Sequence, residues 1–221
     1  MFKKSILALL LAVSSALTVA QETADFEVII TNITPGQTFT PQLVVTHPGT
    51  FQMFRLGLPA SEAMEMMAEG GDTGPLTDEV ANVAVDAQTI GQLLEPGQTS
   101  QVVVAGVPRA GFITIVGMMI PTNDSFFALN RVRLPQTATA LHFVPAYDAG
   151  TEENDQSCQN MPGPRCGGIG YTEETGEGFV HIGNGFHDLG DEDDEGFEVL
   201  GPKTYDWRNS VARIVVRRLP Q

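Results

Sequence analysis

Short runs of alternating apolar residues, each closed by turn chemistry, recur from residue 26 onward, and long helical periodicity is nearly absent. Phe26, Val28 and Ile30 alternate with Glu27, Ile29 and Thr31 before the turn Thr34-Pro35-Gly36-Gln37. Leu43-Val44-Val45-Thr46 follows, then His47-Pro48-Gly49. A period of two sends successive side chains to opposite faces, the pattern of a half-buried strand. Further strands are expected at 101–105, at 139–147 and at 211–219. In the last, Val211, Arg213, Val215 and Arg217 oppose Ala212, Ile214 and Val216. Residues 111–120 form an apolar run long enough to lie buried in the middle of a sheet.

One helix is expected, at about 61–69, where Ala60, Met64, Met67 and Ala68 share a face and Gly70-Gly71 supplies a stop. Methionines at helical spacing read as core filler rather than a copper cluster. Many strands, one short helix and frequent turns favour an all-β sandwich over a helical or parallel α/β domain. No internal repeat or linker divides the chain. A long, turn-rich loop insertion is expected at 148–178, too polar to pack a core.

Lys3 and Lys4 precede an apolar run at 6–13 and a small-residue stretch ending Thr18-Val19-Ala20, the layout of a signal peptide cleaved after Ala20. The apolar run falls short of the ~20 residues that cross a bilayer, and no later segment is a transmembrane candidate. The expected mature chain is one domain, residues 21–221, secreted or periplasmic.

The formal net charge is −15, with 27 Asp and Glu against 12 Lys and Arg. Nucleic acid is excluded as a partner, because its phosphates demand a basic surface. About half of the carboxylates fall between residues 148 and 198, where Arg165 is the one fixed positive charge. Such a segment is solvated, cation-bound, or both. Cys158 and Cys166 are the only cysteines, and export places them where a disulfide forms and persists. On a loop-entropy account, closing so short a loop contributes roughly 2.5 kcal/mol.

Two loops carry candidate chemistry: residues 121–127 (PTNDSFF) and 147–152 (YDAGTE), each placing a carboxylate at a strand end. They emerge together only if the strand directions agree, which the sequence leaves open. Calcium takes six to eight oxygens from carboxylates, carbonyls and water, so a few convergent loop acids suffice. Gly150 lets the chain fold back between Asp148 and Glu152, and a dication would turn their repulsion into binding energy.

The strings TNITPGQTFTP, VVTHPGTF, PTNDSFFALN, VPAYDAGTEEN, GEGFVHIGNGFH and YDWRNSVARI resemble the bacterial branch of the spondin domain, related to the amino-terminal spondin domain of animal F-spondin and mindin. The likeness spans about residues 26–218. It implies a C2-like antiparallel β-sandwich holding a divalent cation, calcium or another, and acting as an adhesion or matrix-binding module. The site would be built from an Asp in a Ser-Pro-x-like loop and the two acids of an Asp-Ala-Gly-Thr-Asp motif. Carried over residue by residue, the ligands are Asp124, Asp148 and Glu152. Glu152 departs from the motif's second Asp, and Ser125 and Phe126 replace a tryptophan found after the first. The implied partner is an extracellular or cell-surface protein or glycan, and the expected state is a monomer.

No GxSxG, HExxH or phosphate loop marks the chain as an enzyme. The alternatives are an exported hydrolase whose metal-bound water sits on Asp124, Asp148 and Glu152, and a periplasmic structural protein with a solvating acidic surface. His181 and His187 with Asp188 form a second candidate set, for zinc or copper. Asp191, Asp193, Glu195 and Gly196 match the opening of an EF-hand loop, but Pro202 stands where the closing Glu belongs. Trp207, the only tryptophan, reads as a plug at one end of the core.

Overall fold

The computed structural model describes residues 22–173 and 176–220; the expected leader, residues 1–20, lies outside the described residues. The chain opens with strands β1 (Thr23–Asn32), β2 (Thr38–Phe39) and β3 (Gln42–His47), then helices α1 (Glu62–Gly70) and α2 (Gly74–Val80). Strands β4 (Asp86–Ile90), β5 (Thr99–Pro108), β6 (Phe112–Ile120), β7 (Ser125–Arg133), β8 (Thr139–Val144) and β9 (Ala146–Asp148) follow. After a long irregular stretch come β10 (His181–Ile182), α3 (Pro202–Tyr205) and β11 (Ala212–Arg218).

All strand pairings are antiparallel. One sheet has the order β5-β1-β11-β8; the other runs β10-β9-β7-β6-β3-β4, with β2 added to β6. The chain is an all-β antiparallel sandwich, as its short alternating runs imply. In β1, Phe26, Val28 and Ile30 point into the core while Glu27, Ile29 and Thr31 lie half-buried. In β11, Ala212, Ile214 and Val216 face inward and Arg213 and Arg217 outward.

Strand β6 is buried on both faces, as its unbroken apolar run requires. Ile113, Ile115 and Met119 join the core between the sheets, where Phe39 stacks on Phe127 at 4.3 Å between ring centroids. Val116, Met118 and Ile120 meet a second apolar layer formed by α1, α2, Met53 and Phe54. Met64 and Met67 of α1 are fully buried in that layer, each contributing about 1.5–3 kcal/mol of transfer free energy. Ser61 caps α1 by accepting from the Met64 N–H at 3.3 Å, and Gly71, in the left-handed region, ends it.

Several elements differ from the sequence expectation. The strand expected at 139–147 is two strands in different sheets, β8 on β11 and β9 on β7. Pro145 separates them; it has no N–H to donate to a ladder. The loop expected at 121–127 ends at residue 124, because Ser125, Phe126 and Phe127 already pair with β9. Helices α2 and α3 join the one expected; each begins with Pro near its first turn and is too short for its periodicity to register.

The expected insertion is present as irregular chain between β9 and β10, tied by the Cys158–Cys166 disulfide with Cα atoms 4.8 Å apart. Contrary to expectation, it buries apolar surface: Met161 packs with Phe186 and Leu200 in a small separate cluster. Among the described residues no helix is long and apolar enough to cross a membrane.

Candidate metal centre

The loop at 121–124 enters through a cis Ile120–Pro121 bond. Thr122 shapes it: its Oγ1 donates to the Met119 carbonyl and accepts from the Ser125 N–H at 3.2 Å. Strand β7 starts at Ser125, which stands opposite Asp148 at the end of β9. The ladder runs one step further, the Ala149 N–H donating to the Asp124 carbonyl at 3.3 Å. The two candidate loops thus leave the sheet side by side at one end of the sandwich.

Asp124 is fully buried. Its Oδ2 accepts from the Thr151 N–H at 2.8 Å, the Thr151 hydroxyl at 3.2 Å and the Glu152 N–H at 3.3 Å. Its Oδ1 is buried and has no hydrogen-bond partner among the described residues. Asp148 is also fully buried. Its Oδ1 accepts from the Gly150 N–H at 2.9 Å and its Oδ2 from Asn154 Nδ2 at 3.0 Å. Gly150 makes the turn between them with φ +68°; a Cβ there would lie 2.2 Å from the Phe179 carbonyl oxygen.

Glu152 is nearly buried. Its backbone N–H serves Asp124, and its Oε1 accepts from the Thr172 hydroxyl at 3.0 Å. The structure therefore wraps the Thr151-Glu152 backbone over Asp124. It adds two residues at Asp148 that form a tighter donor set. His181 Nε2 lies 3.2 Å from Asp148 Oδ1 and 3.6 Å from Glu177 Oε2. Asp148, Glu177 and His181 offer ligand atoms that all lie within 4.8 Å of one another. The His181 Nδ1 is 3.0 Å from the Ile182 carbonyl, which can only accept, so Nδ1 carries a proton and Nε2 faces the carboxylates. Metal-ligating imidazoles are commonly oriented by this kind of bond through the other ring nitrogen.

The electrostatics follow from burying acids together. Burial, then the neighbouring charge of Asp148, push the Asp124 carboxyl up to about 7, against the pull of its Thr151 and Glu152 donors. Burial likewise raises Asp148, partly offset by His181, Asn154 and Gly150. For His181 burial opposes the charged form, but the Ile182 carbonyl and the charges of Asp148 and Glu177 outweigh it, and the net shift is upward. Two adjacent buried carboxylates with one imidazole as their cationic neighbour hold either protons or a cation.

The sequence reading missed Glu177 and Asn154. Glu177 lies four residues before His181, a spacing with no meaning in extended chain; it reaches the site because Gly178 turns the chain, its N–H donating to the Gly150 carbonyl at 2.7 Å. His187 and Asp188 lie outside the compact set, and both are exposed. Asp193 does not aim at an ion: its Oδ1 accepts from the Glu195 and Phe197 N–H groups and its Oδ2 from Ser157 at 2.5 Å, closing its own loop. Trp207 packs against both the inter-sheet core and the Met161 cluster, as a plug at the core's end would.

Fold and site together define an antiparallel sandwich with a buried acidic cluster at one end. No family model matches the chain, and no curated protein matches it.

Proposed function

We propose that this chain is an exported, spondin-type β-sandwich that holds a divalent cation, calcium in the first instance, and serves as a binding module for an extracellular or cell-surface protein or glycan. The observation that carries the reading is the buried, unpartnered Oδ1 of Asp124 beside the buried carboxylate of Asp148. A buried ionised carboxylate without compensation is costly, and a second one beside it more so. A dication offsets both costs at once, and hard carboxylate oxygens suit calcium. Asp124 and Asp148 are its proposed ligands, with Glu152 able to contribute from the turn above. The spondin-like strings support the family and the binding role, and the Cys158–Cys166 disulfide supports export.

Calorimetric titration with calcium chloride, paired with thermal melting, tests the reading. Calcium should bind the wild-type chain and raise its melting temperature, and Asp148→Asn should abolish both effects while the variant still melts cooperatively. Absence of heat and of any shift with calcium, magnesium or zinc at millimolar levels would sink it.

One observation favours a second reading. An imidazole and two carboxylates converging at Asp148, Glu177 and His181 are the ligand types of catalytic zinc sites, which leave a position for water. An exported metal-dependent hydrolase would turn over ester or phosphate reporters, and a chelator would stop it.

A further inference from the structure

A cavity of about 500 Å3 opens beside the β8–β9 crossover, between the Ile182–Gly183 end of β10 and the segment that follows α3. That volume falls within the ~300–1,000 Å3 of small-ligand pockets. None of the acids discussed above lines it.

Both walls are held by contacts within the chain. Gln156, itself buried, grips the main chain of His187, accepting from its N–H at 2.6 Å and donating to its carbonyl at 2.9 Å. Gly185, with φ +75°, lets that wall press against the other; a Cβ would lie 2.4 Å from Asp206 Oδ1. The other wall is fixed by Asp206, whose Oδ1 accepts from the Phe186 N–H at 3.2 Å and whose Oδ2 accepts from Arg208 Nε at 2.7 Å.

The lining chemistry narrows the ligand. Trp207 presents a half-buried indole, edge-on to Phe186 with ring centroids 6.0 Å apart. Asn184, Asn209, His187 and Arg208, whose side chain is 86% exposed, also line the cavity, and Asn209 Oδ1 already accepts from the Ser210 N–H at 2.9 Å. A purely apolar ligand would strip water from these groups and return no hydrogen bonds. A net charge of either sign would meet an Asp206–Arg208 pair that is already compensated. A neutral ring with an apolar face and a hydroxylated rim satisfies both parts: the face lies on the indole, and the rim takes donors and acceptors from the amides and guanidinium. We infer that this cavity is a saccharide site that seats a neutral hexose ring on Trp207. The inference rests on the binding-module reading and does not need the cation.

Trp207 is the only tryptophan, so its emission reports directly on the cavity. The full chain is titrated, in EDTA, with the methyl glycosides of glucose, galactose and mannose and with N-acetylglucosamine. At least one sugar should shift the emission saturably, and the double variant Asn184→Ala/Arg208→Ala should weaken that response at least tenfold. Trp207→Ala is avoided because the ring packs against two apolar clusters; the substituted side chains are exposed, and a melting curve checks the fold. No saturable shift with any of the four sugars overturns the inference. So does an undiminished response in the double variant, or a response to sodium phosphate alone. Because chelator is present throughout, a failed calcium titration and a failed sugar titration indict different sites.

Discussion

Asp148 stands opposite Ser125 in the β7–β9 ladder, and that register sets it beside Asp124, the residue before Ser125. Two acids remote in sequence become neighbours through strand pairing, in a place where neither meets bulk water. The chemical consequences of the site follow from this adjacency.

The first consequence is an inverted pH dependence. Asp124 titrates at about 7 in the folded chain and near ~3.9 when unfolded. Between those values the folded state binds more protons, so stability falls as pH rises. His181, also shifted upward, contributes with the same sign. In EDTA, denaturant unfolding should give a higher free energy at pH 5 than at pH 7.5, by roughly 2.5 kcal/mol from Asp124. Saturating calcium should flatten or reverse the trend by displacing the protons. An EDTA profile that is flat or rises with pH contradicts the burial argument.

Substitutions at Asp124 should separate charge from hydrogen bonding. In Asp124→Asn the amide oxygen can keep the three donors of Thr151 and Glu152, and the buried repulsion disappears. Stability in EDTA at pH 7.5 should stay within about 1 kcal/mol of wild type. Asp124→Ala leaves all three donors without an acceptor and should cost about 3 kcal/mol or more. Both should lose the calcium response in thermal melting; equal stabilities for the two variants would argue against the assigned bonds.

Gly150 and Gly57 form a matched pair. Both have positive φ, +68° and +80°, and either alanine pays a strain of about 1–3 kcal/mol. At Gly57 a Cβ meets nothing within 4 Å, whereas at Gly150 it collides with the Phe179 backbone. Gly150→Ala should therefore destabilise the chain by roughly 3–5 kcal/mol and abolish the calcium response, while Gly57→Ala keeps that response. Chemical denaturation and calorimetry read the two effects.

His181 should distinguish ions. Its Nε2 contributes a nitrogen ligand, which zinc favours and calcium does not. His181→Gln should weaken zinc binding by at least about tenfold, or roughly 1.4 kcal/mol, and leave calcium binding little changed. If calcium affinity falls as far as zinc affinity, the acids and the imidazole form one inseparable site.

The fold was legible where burial stamps a period on the sequence. β1 alternates because one face is buried, β6 is uniformly apolar because both are, and α1 carries Met64, Met67 and Ala68 at helical spacing. The turn 148–152 was legible through Gly150. The departure of β9 from the sheet of β8 was not: apolar residues run unbroken from Phe143 to Tyr147, straight through Pro145, and only the ladders reveal two partners. Glu177 was equally hidden, because its approach to Asp148 depends on the irregular chain between β9 and β10, which no periodicity encodes. Register between distant strands decides which loop acids meet, and one sequence does not specify it.

At Pro145 the backbone leaves one sheet, and at Ala146 it has entered the other. Layers held only by side-chain packing can slip or part, but here a covalent rivet joins them along one margin. The opposite margin is fastened too, where β4 runs on into β5 and the Ala105 N–H of β5 donates to Asp86 Oδ2 of β4 at 2.9 Å. The crevice beside the rivet therefore lies between layers fastened at both margins, a seat shaped by the chain's own connections rather than by a closing movement.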